Sequence, residues 1–258
     1  FICGYYLFAS KNLYAPTLTY VIGLFALAVA IRFHIYRLFK KVSPISQENF
    51  TWNFMLKESY PMLVASSIVM IMGWSDIFVL GFFVNESEIG IYSTAIKIAT
   101  IVSFVYNAIA TIATPKIAEY FEKSNLIKFN ETISFSSRIM LVLTLPVFII
   151  LFIFPEFFLG IFGEEFKSGK DVLRILSFAQ FTNVVTGPVG PVFQMTNNQK
   201  KLQSFIVIAL ICNIITSLCL VKSYNLIGVA IGSAIGMVLW NFLGAAYLFK
   251  RMKLKTWA

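Results

Sequence analysis

The amino-acid sequence predicts an all-α polytopic membrane protein. Of its 258 residues, 58% are hydrophobic and only 13% are charged, whereas about 25% of the residues in an ordinary soluble domain are charged. Several apolar runs reach the roughly 20 residues that an α-helix needs to cross a hydrocarbon core. The basic residues are concentrated in alternate connections between these runs. Together, these three observations predict a bundle of membrane-spanning helices.

Seven apolar runs are long enough to span a bilayer. They lie at about 14–36, 60–83, 90–113, 133–154, 171–193, 202–221 and 227–248. The opening stretch FICGYYLFA is equally apolar, but it has only about half the length that a crossing requires. The sequence also does not begin with Met. We therefore expect the sequence to be a fragment that starts inside a helix.

The distribution of charge predicts the topology. Lys and Arg are abundant in the connections at 32–57, 115–138 and 200–201 and in the tail at 250–255, and they are sparse in the alternate connections. Because positive residues flank the cytoplasmic ends of spanning helices, we expect these four segments, including the C-terminus, to face the cytoplasm. The net charge of +9 then reflects membrane orientation, and we expect no nucleic-acid partner.

A polar stretch divides the chain into three predicted segments. Residues 37–59 include the sequence KKVSPISQENFTWNF, in which Phe50 and Trp52 suit the headgroup zone of a membrane. We expect this stretch to be a cytoplasmic amphipathic linker. Residues 1–36 would then form the end of one helix bundle, and residues 60–258 would form a six-helix transmembrane bundle.

Two opposite charges, Asp76 and Lys97, lie inside consecutive apolar runs. The two helices run in opposite directions, so each charged residue lies about seven residues, or about 10 Å, from the outer surface. An ion in the bilayer costs about 2.5–3.5 kcal/mol on insertion scales, and such residues therefore face a partner or water. We expect either a buried ion pair or two charges hydrated in one cavity. A pair could serve as a bridge between two helices or as part of a functional site.

Polar side chains form a stripe along each of two spans. At 100° per residue, six side chains fall within an arc of about 80°, namely Ser93, Lys97, Thr100, Phe104, Asn107 and Thr111. In the span at 171–193 the corresponding stripe consists of Gln180, Asn183, Gly187, Gly190 and Gln194. Pro188 and Pro191 predict a bend in the inner half of this span. Such stripes either line a water-filled pathway or form hydrogen bonds between helices.

The last span carries a row of small residues, Gly228, Gly232 and Gly236, at four-residue spacing. Small residues at this spacing let two helix backbones approach closely in lipid, where packing drives the association of helices. We therefore expect a helix-packing seam at these three glycines.

No arrangement typical of an enzyme or a metal site is visible. Cys212 and Cys219 are about 10 Å apart along one helix, which is beyond the reach of a disulfide. The single His, His34, lies at a cytoplasmic helix end beside Arg32. We expect no catalytic residues, no cofactor and no metal ion.

The stretch SDIFVLGFFVNESEIGIYSTAIK and its surroundings carry a family resemblance. The matching residues are Pro61, Asp76, Leu80, Gly81, Gly90, Tyr92, Ala95 and Lys97, and the later stretches IFGEEF, LRILSF and NLIGVAIGSAIG fit the same pattern. With these motifs the chain resembles the polysaccharide-biosynthesis flippases, the Wzx-type O-antigen and capsule transporters of the multidrug/oligosaccharidyl-lipid/polysaccharide exporter superfamily.

This resemblance implies two helix bundles around a central cavity that opens alternately to each side of the membrane. It implies a substrate, an undecaprenyl-diphosphate-linked oligosaccharide, that moves from the cytoplasmic to the periplasmic leaflet of the bacterial inner membrane. The transport-pathway residues would be Asp76, Lys97, Thr100, Asn107, Gln180 and Asn183. The cation of Lys97 suits the diphosphate, and the three amide side chains suit the sugars. Membrane lipids and glycan assembly enzymes are the expected partners.

Two other functions stay open. A cation-coupled drug or metabolite antiporter of the same superfamily would use Asp76 to carry the coupling ion. A polytopic enzyme that acts on lipid-linked sugars, such as a ligase or a polymerase, would require a large outer loop with acidic, Arg or His residues. The predicted outer loops of this sequence are short.

Overall fold

The computed structural model describes residues 15–39 and 52–252, together with Leu254 and Thr256. Within these residues the regular structure is entirely helical, which confirms the predicted all-α fold class. The helices are α1 (Ala15–Phe39), α2 (Trp52–Gly81), α3 (Glu86–Glu122), α4 (Leu126–Ile153), α5 (Pro155–Gly160), a 3₁₀ helix (Glu164–Gly169), α6 (Lys170–Val185), α7 (Val189–Met195) and α8 (Gln199–Met252).

The chain forms two compact units, residues 1–55 and residues 56–258. The described part of the first unit is α1 and the first turn of α2, and the second unit contains the remainder of α2 and helices α3 to α8. Most of the predicted linker and the half-helix at 1–9 lie outside the described residues. The predicted division into 1–36, 37–59 and 60–258 therefore stays a prediction.

Several helices have the length and apolarity to cross a membrane, as expected of a multi-pass membrane protein. Within the described residues these are Glu86–Glu122, Leu126–Ile153 and Gln199–Arg251, and α2 adds a shorter apolar stretch, Met70–Gly81. With 37 residues, α3 is about 55 Å long, which exceeds the hydrocarbon thickness. Its first turn is stabilised by a capping box between Asn85 and Glu88, so the helix begins before the predicted span.

A break divides the predicted span at 171–193 into α6 and α7. Gly187 adopts a left-handed backbone conformation with φ 74°, and Pro188 has no N–H group to continue the helical hydrogen bonds. The sequence predicted a bend at Pro188 and Pro191. The expectation of one continuous span is wrong, because the helix ends before Gly187 and a new helix starts after Pro188.

The C-terminal segment packs against this break. Thr256 is completely buried and Leu254 is nearly so. Ser137, on α4, donates a hydrogen bond to the Thr256 carbonyl. A Cβ atom on Gly187 would lie 1.9 Å from the same carbonyl oxygen, so a residue with a side chain has no room there while the tail is in place.

Helix α8 consists of two arms, 199–224 and 226–252, separated by Asn225 at φ 46° and ψ −124°. The second arm lies against the first along the predicted row of glycines. Cβ atoms placed on Gly228, Gly232 and Gly236 would lie 2.6 Å from Leu220, 2.1 Å from Ser217 and 3.0 Å from Asn213, respectively. As the glycines advance along the second arm, their partners move backward along the first arm, so the two arms are antiparallel. The close contacts at the three glycines confirm the predicted packing seam.

Two large hydrophobic clusters pack the described part of the second unit together. The cluster around the N-terminal half of α3 includes Leu80, Tyr92, Leu159, Leu173 and Val229. The cluster around the C-terminal half includes Ile117, Phe129, Phe193, Ile206 and Leu248. Because lipid is as apolar as these side chains, the clusters stabilise the unit through close packing and not through the removal of water.

We expect Gly228→Ala to destabilise the protein by about 1–3 kcal/mol, because the new methyl group overlaps a well-packed contact. The atoms that it would meet at 2.6 Å are the backbone C and O of Leu220, which cannot rotate away. The measurement is thermal unfolding of the detergent-purified protein. Gly73→Ala is the matched control, since a Cβ there meets nothing within 4 Å. Equal unfolding temperatures for the two variants would contradict the packing described for α8.

Candidate functional site

Asp76 lies at the centre of a buried cluster of hydrogen bonds. Asp76 is only 5% exposed. The Tyr92 hydroxyl donates to Oδ2 at 2.9 Å, the Asn213 amide donates to Oδ1 at 3.3 Å, and the Ser233 hydroxyl also donates to Oδ2. Both oxygens of the carboxylate thus have hydrogen-bond donors inside the bundle. We refer to Asp76, Tyr92, Asn213 and Ser233 as the carboxylate cluster.

Four helical segments supply the carboxylate cluster. Asp76 comes from α2 and Tyr92 from α3, while Asn213 and Ser233 come from the two arms of α8. The glycine seam brings those arms close enough for the Asn213 amide to lie 3.4 Å from the Ser233 hydroxyl. The side-chain oxygen of Asn213, Oδ1, accepts a hydrogen bond of 3.0 Å from the Ser217 hydroxyl. This contact orients the NH2 group of Asn213 toward Asp76. The packing of the seam therefore positions half of the cluster.

The donors to Asp76 are neutral. A carboxylate without a nearby cation is expensive to bury, and hydrogen bonds to the charged form offset part of that cost. The groups around it are oxygen-rich, with hydroxyls from Tyr and Ser and an Asn amide. Such a set suits a proton or a hard monovalent cation better than a transition metal. The part of the chain that the structure describes contains no group of three or more His, Cys, Asp or Glu residues placed to hold a metal ion.

The predicted pairing of Asp76 with Lys97 is wrong. Asp76 is buried among neutral donors, whereas Lys97 is exposed and makes no ion pair with any residue in 15–39 or 52–252. The shared-cavity alternative is also contradicted by this difference in burial. The reason is rotation about the axis of α3. Tyr92 faces α2, and Lys97, five residues later, points about 140° away around the helix. Equal depth in the membrane does not determine that angle.

The polar stripe of α3 forms an exposed face of the second unit. Lys97, Thr100 and Asn107 are exposed, while the opposite face, with Ile98 and Val102, is buried. The Thr100 hydroxyl donates to the Lys97 carbonyl at 2.7 Å, so it is satisfied within its own helix. The side chains of Lys97 and Asn107 make no hydrogen bond to the described residues. We call Lys97, Thr100 and Asn107 the polar face of α3.

The polar residues of α6 point into helix interfaces and not toward the polar face of α3. Gln180 accepts a hydrogen bond from Ser103 on α3, and the Asn183 Oδ1 atom is buried without a partner among the described residues. One turn later, Thr186 donates to Asn241 on α8 at 3.1 Å. Gln180 therefore forms a hydrogen bond that links α6 to α3. This was the open alternative to a water-filled pathway.

The six candidate residues thus occupy three places. Asp76 is in the carboxylate cluster, Lys97, Thr100 and Asn107 are on the polar face of α3, and Gln180 and Asn183 are in the interfaces of α6. The structure does not bring Lys97 and Gln180 together. Whether these residues contact a substrate stays a prediction.

Sequence reasoning missed the partners of Asp76. Tyr92 entered only through the family resemblance, and Asn213 and Ser233 were not selected. One signal was present in the sequence. Asn213 and Ser233 are polar residues inside the last two apolar runs, and a hairpin that aligns the glycine row with the preceding run places them side by side. Their depth also matches that of Asp76.

Comparison with known proteins gives three similarities. The family described as polysaccharide biosynthesis protein matches residues 6–121. The "Probable low-salt glycan biosynthesis flippase Agl15" of Haloferax volcanii is 27% identical over 183 residues, which cover 70% of this chain and 39% of the relative. The "Probable flippase AglR" of the same organism is 25% identical over 187 residues, covering 71% of this chain and 39% of the relative. The chain thus spans about two-fifths of the length of these relatives. No solved structure matches at a significant level.

We expect Asp76→Ala to destabilise the protein, because it leaves the buried donors Tyr92 and Asn213 without their acceptor, at about 1–3 kcal/mol for each unsatisfied group. Asp76→Asn keeps the shape and one carbonyl acceptor, so its loss should be smaller. Thermal unfolding of the purified variants measures both effects. Glu119→Ala, which removes an exposed carboxylate from α3, is the control. An Asp76→Ala variant as stable as this control would contradict the cluster.

Proposed function

We propose that the chain is a member of the polysaccharide biosynthesis protein family, whose model matches residues 6–121, and that it is part of a transporter that flips lipid-linked oligosaccharides across a membrane. Transport would proceed by alternating access, in which a polar path opens first to one side of the membrane and then to the other. The names of both relatives describe flippases, in agreement with a transporter and not with an enzyme.

The observation that carries this proposal is the polar face of α3. This helix is long and apolar enough to cross a membrane, yet Lys97, Thr100 and Asn107 are exposed along one side of it. A lysine in hydrocarbon costs about 2.5–3.5 kcal/mol on insertion scales. The face therefore requires contact with water or with a polar ligand, and a translocation path supplies both.

The chemistry of this face suits a lipid-linked oligosaccharide. A phosphate or diphosphate headgroup requires a cation, and charge-assisted hydrogen bonds to such oxygens are stronger than neutral ones. Lys97 offers the cation, and the Asn107 amide offers a donor and an acceptor for sugars. The Thr100 hydroxyl donates to the Lys97 carbonyl, so its oxygen offers an acceptor. Gln180 and Asn183 are assigned to helix packing, since Gln180 already bonds Ser103 and the Asn183 oxygen is buried.

In its more specific form, the proposal identifies the substrate as an undecaprenyl-diphosphate-linked O-antigen or capsule repeat unit in a bacterial inner membrane. The resemblance noted in the sequence supports this form. The relatives support the broader class of glycan substrates, since one is named for glycan biosynthesis and both come from an archaeon. The distribution of Lys and Arg supports a cytoplasmic C-terminus, and enzymes of glycan assembly would be partners.

Substitution of Lys97 tests the path. In a strain that lacks its own flippase and carries the full-length gene, we expect Lys97→Ala to reduce surface glycan by about tenfold or more, because a hydrogen bond to a charged group contributes about 1.5–3 kcal/mol. Lys97→Arg should retain most of the export. Lys222→Ala, which removes an exposed lysine near the end of the first arm of α8, is the control. Surface glycan is measured at equal protein level, and unchanged export by Lys97→Ala would remove Lys97 from the path.

A second function is favoured by the carboxylate cluster. We propose that Asp76 binds the cation that drives transport, in a flippase or in a drug or metabolite antiporter of the same superfamily. A buried carboxylate on a spanning segment is typical of sites that carry ions or protons. The hydroxyl oxygens of Tyr92 and Ser233 and the side-chain oxygen of Asn213 can turn to contact a small cation. When the cation has left, the two hydroxyl groups and the Asn213 NH2 group can donate to the carboxylate again.

Asp76→Asn separates coupling from stability, since it retains the shape of the side chain. In vesicles that contain the full-length protein, we expect an imposed proton or sodium gradient to accelerate transport by the wild type and to have no effect on Asp76→Asn. Glu119→Gln, an exposed carboxylate variant on α3, should keep the response. A folded Asp76→Asn variant that responds to the gradient as the wild type does would leave the cluster with a structural role alone.

A further inference from the structure

The segment between α4 and α6 exposes a group of large apolar side chains. Phe154, Phe157, Ile161 and Phe162 are between 57% and 69% exposed. They come from α5 and from the residues on either side of it, within residues 154–162. We call these four side chains the aromatic face of α5. Exposed apolar groups of this size mark a contact with lipid or with another protein.

The opposite side of the same segment is fixed to the bundle. Pro155 is buried and Leu159 has no exposed surface. Leu159 packs in the hydrophobic cluster that also contains Leu151 of α4 and Leu173 of α6. The orientation of α5 is therefore set by the core, and the aromatic face is a constant feature of this end of the molecule.

The aromatic face continues an exposed apolar surface of α4. Ile149, Ile150 and Ile153, in the last turn of α4, are also exposed. Because α4 is long and apolar enough to cross a membrane, we expect this exposed side of α4 to contact lipid acyl chains. The aromatic face of α5 continues this surface beyond the end of α4, so we expect it to lie at the boundary of the same lipid leaflet.

Charged groups show that this segment is at the membrane surface and not within the hydrocarbon. Lys170 forms an ion pair of 2.8 Å with Glu156, and Lys167 forms one of 2.7 Å with Glu164. Hydrogen bonding to Lys170 holds the pKa of the Glu156 carboxyl below its ordinary value, so Glu156 is ionised at neutral pH. Arg174 donates to the Phe152 carbonyl at 3.2 Å, which satisfies one of the free carbonyls at the end of α4.

We propose that residues 154–162 form an interfacial anchor whose partner is the lipid of the adjacent leaflet. The aromatic face inserts at the boundary between headgroups and acyl chains, and the pairs of Glu156 with Lys170 and of Glu164 with Lys167 lie among the headgroups. Amphipathic segments bind at this depth through an apolar side that carries residues such as Phe and Leu. Such an anchor would fix this end of α4 and α6 relative to the bilayer while other segments move.

Site-directed fluorescence tests the anchor without any assay of transport. Cysteines are introduced by Phe157→Cys and Phe162→Cys in a background without Cys3, Cys212 and Cys219, and they are labelled with an environment-sensitive fluorophore. Glu165→Cys, an exposed position in the same connection, is the matched control. The full chain is studied in lipid nanodiscs with nitroxide-labelled lipids as membrane quenchers and iodide as the aqueous quencher.

For the labels at 157 and 162 we expect blue-shifted emission and loss of fluorescence with nitroxide lipids. The label at 165 should lose fluorescence with iodide instead. Two results would overturn the proposal. Quenching by iodide at 157 and 162 equal to that at 165 would place the aromatic face in water, and resistance to both quenchers would place it against another part of a protein. Because these positions are exposed, the substitutions leave the core intact.

Discussion

The buried carboxylate of Asp76 sets the main constraint on this structure. A charge that deep among spanning helices is tolerated only if donors reach it from several sides, and here Tyr92, Asn213 and Ser233 do so from α3 and from both arms of α8. Two of those donors come from a hairpin, so the cluster depends on how closely its arms approach. The glycine seam that permits this approach is therefore coupled to the cluster, and a packing change there would also alter the surroundings of Asp76.

The polar groups of the second unit fall into two classes that have different physical consequences. Those of the carboxylate cluster and of the Ser103–Gln180 contact are satisfied inside the bundle, where they fix the rotation of helices. Those of the polar face of α3 are exposed, and its Lys97 and Asn107 side chains lack partners among the described residues, so their environment must come from water or a ligand. A transporter needs both classes, because a rigid bundle has to present a wet surface without losing its own packing.

Much of the architecture could be predicted from the sequence, because it depends on the length of apolar runs and on the spacing of residues along the chain. Apolar run length predicted helices, four-residue spacing of glycines predicted the seam of α8, and Pro188 indicated where the inner part of the fifth run would bend. The pairing of Asp76 with Lys97 failed because depth along two helices says nothing about rotation around them. The stripe of α6 was visible in the sequence, but its contact with Ser103 depends on which neighbouring helix packs against it.

By itself, the sequence determined that this chain is an all-α membrane protein, which segments are apolar enough to be helices, and which helix sides carry polar groups, because composition and the period of 3.6 residues are properties of the chain alone. The tertiary structure alone decided which of those sides became buried. The axial rotation of α3, the turn at Asn225 and the break at Gly187 bring residues separated by more than a hundred positions into contact. Such contacts depend on the simultaneous packing of several helices, and no local pattern specifies that.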